Sequence, residues 1–346
     1  MDIVAFKQKF DPILEKYLNN KIQTSAEIVK NKRIQSILEH IQTITFAGGK
    51  RIRPYCLYMW YHIYQTTESD DIRKFAMLFE LLHTMALIHD DIIDEANKRH
   101  NVATIHQYIQ DTNHDAISKR IAEWQAILAG DLVLSRVYEV LNNTYNIDPK
   151  QLSWAQKTVH EMIQEVVLWQ MIDVELSIWD EAQTEMLERK NLYKTARYTF
   201  ARPLVAGAQL AWANIDQIQL LNKIGESLWL AYQLRDDLLD ILEVHKDKDT
   251  FSDVQEWQQT LITDYINKHT NKTYKSFLDS CMGKSLNKEQ ITELKSIFEE
   301  SWAISFAKEK IATYVQDAAA MLENIDFKNE SARSYINQLM HKLTTI

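Results

Sequence analysis

The sequence predicts an all-α protein, and three observations carry that expectation. Only 6 Gly and 4 Pro occur in 346 residues, too little turn chemistry for a sheet of many short strands. Between polar breaks the apolar residues recur at helical spacing, and a hydrophobic content of 46% is ample for a large core. No stretch has the Pro/Gly/Ser richness of an interdomain linker and no fixed-period repeat is present, so residues 1–346 are expected to form one continuous domain.

The breaks fall at "QTTESDD" (65–71), "NNTYNIDPK" (142–150), "HKDKDTFSD" (245–253) and "NIDFKNES" (324–331). Pro149 suits the first turn of a helix, where its missing N–H is unpaired anyway. The first residues lack the sections of a signal peptide and no apolar stretch reaches membrane-spanning length, which predicts a cytoplasmic protein with no transmembrane segment. Cys56 and Cys281 have no metal-ligand spacing and read as buried apolar residues in a reducing compartment. A net charge of -9 argues against nucleic acid as a partner. An anionic ligand would need local cations or metal ions.

Local cations do occur. "FAGGKRIRPY" (46–55) places Lys50, Arg51 and Arg53 after a Gly48-Gly49 turn, with Pro54 able to begin a helix. Such a turn can hold a phosphate, or it can be ordinary surface. Next, "LIHDDIIDEANKRH" (87–100) puts Asp90 and Asp94 one helical turn apart with Asp91 beside them, and His83 lies two turns upstream. Like charges so placed repel by a few tenths of a kcal/mol, roughly, which a solvated helix face tolerates. A hard divalent cation turns the same repulsion into coordination. "YKTARYTFARPL" (193–204) adds Lys194, Thr195 and Arg197, and "AYQLRDDLLDI" (231–241) repeats the acidic pattern with Asp236, Asp237 and Asp240. If the two acidic helices face each other, six carboxylates converge. Magnesium suits them, because it takes oxygen ligands and bridges carboxylates to phosphates, whereas no His/Cys cluster is offered to zinc.

Taken together, "GGKRIRP", "HTMALIHDDIID", Arg99, "AGD" (129–131), "KTA" (194–196), "YQLRDDLLD" and "SDVQEWQQTL" resemble, in order, the trans-isoprenyl diphosphate synthases of the polyprenyl synthetase family. The resemblance implies a bundle of long helices around a central apolar cavity, usually homodimeric, that condenses isopentenyl diphosphate with an allylic diphosphate. It implies that Asp90 and Asp94 bind magnesium on one side and Asp236 on the other, with Asp91, Asp237 and Asp240 in support. By the same likeness Lys50, Arg53 and His83 hold isopentenyl diphosphate, while Arg99, Lys194, Thr195 and Gln233 hold the allylic diphosphate. Magnesium makes the diphosphate a better leaving group, the allylic cation is attacked by the homoallylic double bond, and the apolar cavity keeps water out. Phe200 and Tyr232 are candidate aromatic faces for that cation, or plain core residues.

The sequence departs from the family pattern in three places. His100 stands where a second arginine is usual, Trp257 and Gln258 where the loop after the second motif has Gly-Lys, and Trp169 where glycine is expected. The metal apparatus is intact, but the isopentenyl side is weakened. Besides a chain-elongating prenyltransferase, a terpene cyclase or lyase and a weakly active regulatory subunit of a hetero-oligomeric synthase therefore remain open. Upstream of the first motif, Met85, Leu82 and Phe79 follow one another at helical-turn spacing, and no aromatic stands at the fourth or fifth position before it. Phe79 is then the first strong barrier to a growing chain, which predicts a product of geranylgeranyl length or somewhat longer.

Overall fold

The scarcity of glycine and proline is expressed as long helices. The computed structural model describes residues 3–113, 117–176, 197–242, 250–255 and 257–345. In chain order these form α1 (Ile3–Val29), α2 (Lys32–Phe46), α3 (Ile52–Tyr64), α4 (Asp70–Ile93), α5 (Ile105–Asn113), α6 (Lys119–Leu141) and α7 (Pro149–Leu176). They continue as α8 (Arg202–Leu210), α9 (Ile215–Ile241), α10 (Ser252–Gln255), α11 (Leu261–His269), α12 (Lys272–Cys281), α13 (Lys288–Glu300), α14 (Ala303–Leu322) and α15 (Glu330–Thr344). The breaks at 65–71, 142–150 and 324–331 lie where one helix gives way to the next, residues 245–249 of the break at 245–253 lie outside the described residues, and Pro149 opens α7 as its fixed φ allows. Asparagine caps set several starts: Asn31 accepts from the amides of Arg33 and Ile34, and Asn214 and Asn287 form reciprocal capping boxes with Gln217 and Gln290.

Burial follows the helical period. Helix α1 buries Phe6, Phe10, Leu14, Leu18 and Ile22, one residue per turn, and the Phe6 and Phe10 rings stack at 5.1 Å. Helix α4 is enclosed on nearly every face and packs against α1, α2, α3 and α6, while α9 packs against α8, α14 and α15. Each of these two interior helices carries an aspartate motif in its last turns. That end of a helix is already partly negative, so carboxylates there are stabilised by a cation more than they would be elsewhere.

The all-α expectation holds with one small exception. A two-stranded antiparallel hairpin, β1 (Lys98–Arg99) and β2 (Val102–Ala103), follows α4, with Arg99 opposite Val102. Its turn residues His100 and Asn101 have φ of 49° and 63°, the pair of left-handed conformations of a type I′ turn. That turn usually announces itself as Asn-Gly, and His-Asn does not. Cys56 and Cys281 are both free and buried. Among the described residues no helix is long and apolar enough to cross a membrane.

Candidate active site

The basic loop between α2 and α3 separates its three cations. Gly48 has φ of +67°, which glycine adopts without strain, and a β-carbon on Gly49 would lie 1.9 Å from Nη1 of Arg51. Arg51 is 1% exposed. Its Nε donates to Asp11 Oδ1 at 2.8 Å, and Nη1 donates to Glu80 Oε1 at 2.7 Å and to the Thr45 carbonyl at 2.9 Å. Arg51 is therefore a structural cation tying α1, α2 and α4 to the start of α3, with its charge turned into the protein. Burial pushes the Glu80 carboxyl up, against the pull of Arg51. Lys50 is exposed, and the Arg53 guanidinium lies 4.6 Å from the Tyr198 ring centroid with its Nε unpartnered.

At the end of α4, Asp90 Oδ1 accepts from Gln170 Nε2 at 3.1 Å. Asp91 points inward, and its Oδ1 accepts from Nε of Arg99 at 2.8 Å and forms an ion pair with Nη2 at 2.7 Å, whereas its buried Oδ2 has no hydrogen-bond partner. Burial raises this carboxyl and Arg99 opposes the rise. Asp94 follows the helix as its exposed terminal residue. The type I′ hairpin folds Arg99 back onto Asp91 and brings His100 to the basic loop: a β-carbon on Gly48 would lie 2.6 Å from Cγ of His100. His83 has its Nδ1 buried and unpartnered, and burial, reinforced by Arg53, Arg99 and Arg51, holds it neutral, well below the usual histidine range.

At the end of α9, Asp237 is buried and accepts from Gln233 Nε2 at 2.8 Å through Oδ1. Burial holds its carboxyl well above the usual range, and the charges of Asp253, Asp236 and Asp240 add to the effect. Asp240 accepts from the Ser252 amide at 3.1 Å, the Ser252 hydroxyl at 2.7 Å and the Asp253 amide at 3.3 Å, so it caps the short helix α10. Asp236 is partly exposed and acts on the Tyr232 hydroxyl, which burial raises first and the Asp236 charge raises further.

Arg53 joins the two sides. Its charge acts on Tyr198, which also feels Asp90, and on Tyr232, which also feels Asp236. Phe200 and Tyr232 meet at 6.5 Å between ring centroids, and Trp229 packs on both at 5.2 and 4.9 Å, a third aromatic face that sequence reasoning missed. Lys194 and Thr195 lie outside the described residues. Trp257 is 57% exposed, and a β-carbon on Gly283 would lie 2.5 Å from its Cε3, so the indole sits on the Gly283 turn; the Gln258 amide donates to the Asp253 carbonyl at 2.7 Å.

The six aspartates divide into two kinds. Asp91, Asp237 and Asp240 are buried and held by protein donors, while Asp90, Asp94 and Asp236 are more open to solvent. Among the described residues no three His, Cys, Asp or Glu groups are gathered closely enough to hold an ion by themselves. Mutual repulsion at two already negative helix ends favours this spread. An all-oxygen donor set at two separated turns fits magnesium bridged by a ligand phosphate, since that ion keeps several waters and uses one or two carboxylates per site. The unpartnered Asp91 Oδ2, Arg53 Nε, His83 Nδ1 and Tyr198 hydroxyl are buried polar atoms whose hydrogen bonds remain to be made.

Residues 34–301 match the family described as polyprenyl synthetase. The chain belongs to the polyprenyl synthetase family. It is similar to a short chain isoprenyl diphosphate synthase of Methanocaldococcus jannaschii, 27% identical over 302 residues that cover 86% of this chain and 85% of the relative. It is also similar to a geranylgeranyl diphosphate synthase of Sulfolobus acidocaldarius, 24% identical over 329 residues, covering 91% and 93%. The fold matches that of a geranylgeranyl pyrophosphate synthase from Corynebacterium glutamicum, solved with isoprenyl diphosphate and magnesium, at a TM-score of 0.88 and 24% identity over 100% of this chain and 99% of that one. Like other members of this family, the chain is a prenyltransferase.

Proposed function

We propose that this prenyltransferase uses magnesium to condense isopentenyl diphosphate with an allylic diphosphate, releasing a polyprenyl diphosphate of geranylgeranyl length or somewhat longer. The observation that carries the reading is a pair of acidic helix ends, Asp90 and Asp94 on α4 and Asp236, Asp237 and Asp240 on α9, together with an Arg53 guanidinium held 4.6 Å from the Tyr198 ring centroid with its Nε unpartnered. A basic loop and two acidic turns suit two diphosphates, one held by cations directly and one through metal.

Asp90, Asp94 and Asp236 would hold the ions, with Asp91, Asp237 and Asp240 as supports. When bound, magnesium supplies charge neutralisation of the leaving diphosphate. The chain's own contributions are positional. Lys50, Arg53 and His83 hold isopentenyl diphosphate; Arg99, Lys194, Thr195 and Gln233 hold the allylic diphosphate. Phe200, Trp229 and Tyr232 offer ring faces to a developing carbocation without a nucleophile that would trap it. The allylic C–O bond breaks first, the homoallylic double bond then forms the new C–C bond to the allylic cation, and the proton lost from the isopentenyl unit goes to the departing pyrophosphate.

The proposal includes a homodimer in the cytoplasm. Helix α6 exposes Ile121, Trp124, Leu128 and Leu132, recurring every third or fourth residue, and α7 exposes the adjacent Val167 and Leu168 and then Met171 and Val174 at every third residue. Apolar stripes of this kind mark an interaction surface, and a second copy of the chain offers the same stripes in return.

Incubation of the purified chain with magnesium and an allylic diphosphate, with and without isopentenyl diphosphate, tests the activity. An extended diphosphate formed only with isopentenyl diphosphate is expected. A hydrocarbon or alcohol formed without it would assign the chain to cyclisation, and no product in either case would assign it to a regulatory role.

A further inference from the structure

Tyr198 lies in a π-helical turn, residues 197–201, that leads into α8. Such turns insert an extra residue per helical turn and re-aim the side chains around them, and they recur at functional sites. Here the turn delivers a tyrosine that is 5% exposed, with its hydroxyl unpartnered and its ring face under the Arg53 guanidinium at 4.6 Å. The His83 ring lies 6.5 Å away between centroids. Three polar atoms around this one spot, Arg53 Nε, His83 Nδ1 and the Tyr198 hydroxyl, are buried without a hydrogen-bond partner. Buried polar atoms are nearly always paired, so three together point to one shared acceptor.

We infer that Tyr198 positions isopentenyl diphosphate: its ring seats the Arg53 guanidinium, and its hydroxyl donates a hydrogen bond to the same diphosphate. The inference rests on the prenyl-transfer reading for the identity of that ligand. Burial raises the Tyr198 hydroxyl to about 12, with Arg53 opposing the rise, so the group keeps its proton and serves as a donor throughout the neutral range. A donor that never ionises adds no negative charge beside Asp90. The ring has a separate task. A guanidinium held flat on an aromatic face is fixed in plane, which directs its remaining N–H groups at the ligand.

The two roles separate by substitution. Tyr198→Phe keeps the ring and removes the hydroxyl, and it should raise the KM for isopentenyl diphosphate about tenfold, the effect of one lost hydrogen bond to a charged group, with the allylic KM within about twofold of wild type. Tyr198→Leu should raise the same KM further, because Arg53 also loses its seat. Calorimetric titration of wild type and Tyr198→Phe with isopentenyl diphosphate alone reads the contact without turnover, and the variant should bind about tenfold more weakly. Unchanged binding and KM in Tyr198→Phe would overturn the hydroxyl's role, and equal rises in both KM values would overturn its assignment to isopentenyl diphosphate. Wild type that binds isopentenyl diphosphate but makes no extended product would defeat the prenyl-transfer reading while leaving Tyr198 as its binding residue.

Discussion

The His100 imidazole stands against Gly48, close enough that a β-carbon on that glycine would lie 2.6 Å from the ring's Cγ. Two residues some fifty positions apart in the chain are thus neighbours, and the histidine faces the loop that carries Lys50. Gly48→Ala should destabilise the protein by about 1–2 kcal/mol from the left-handed backbone alone, and should raise the KM for isopentenyl diphosphate by displacing the imidazole. His100→Arg should lower that KM more than the allylic one, because a guanidinium offers a diphosphate a permanent bidentate donor where the imidazole offers a single contact. Steady-state kinetics with each substrate varied decides; an equal effect on both substrates would place His100 outside the isopentenyl side.

Activity should be abolished by chelating magnesium and restored by adding it back. Asp90→Ala and Asp236→Ala should each lower turnover at least about a hundredfold, since metal polarisation is worth several kcal/mol. Asp240→Ala differs, because its carboxylate caps α10 through Ser252 and Asp253; it should lower thermal stability as well as turnover. Near-normal turnover in both of the first two variants would sink the metal mechanism.

Arg51 and Lys50 are adjacent, yet their substitutions should read out differently. Arg51→Ala leaves the buried Glu80 without its ion-pair partner and should cost about 3–5 kcal/mol of stability. Lys50→Ala, at an exposed position, should leave the melting temperature nearly unchanged and raise the KM for isopentenyl diphosphate. Thermal melts paired with kinetics on the two variants check this contrast.

Met85, Leu82 and Phe79 are all buried on α4, upstream of Asp90. If the growing chain runs beside this helix, Met85→Phe should shorten the product and Phe79→Ala should lengthen it. Chromatography of the dephosphorylated products measures both. A wild type that stops at the farnesyl stage, with neither substitution moving the distribution, would remove this helix from length control.

Leu128 is 65% exposed on α6 in the single chain. Leu128→Glu should convert a dimer into monomers, because a carboxylate buried in an apolar interface lacks a partner. Light scattering on both proteins measures the mass, and a monomeric wild type would refute the homodimer.

The sequence by itself determined the helices and the two acidic turns. Both are local: helical spacing, the polar breaks, Pro149 and two aspartate pairs one turn apart are all written within a few residues of each other, and their number, order and type were enough to imply the family. Only the tertiary structure decided what became of each charge. Arg51 and Arg53 look alike in "GGKRIRP", but Asp11, forty residues upstream, and Glu80, on α4, draw one inward, while the ring of Tyr198 holds the other at the site. Asp91, Asp237 and Asp240 likewise differ from Asp90 and Asp236 through Arg99, Gln233 and Ser252. The hairpin that folds His100 onto Gly48 and the π-helical turn that delivers Tyr198 have no strong short-range signal. Burial and charge pairing depend on which distant segments arrive at the same place, and one-dimensional spacing does not carry that information.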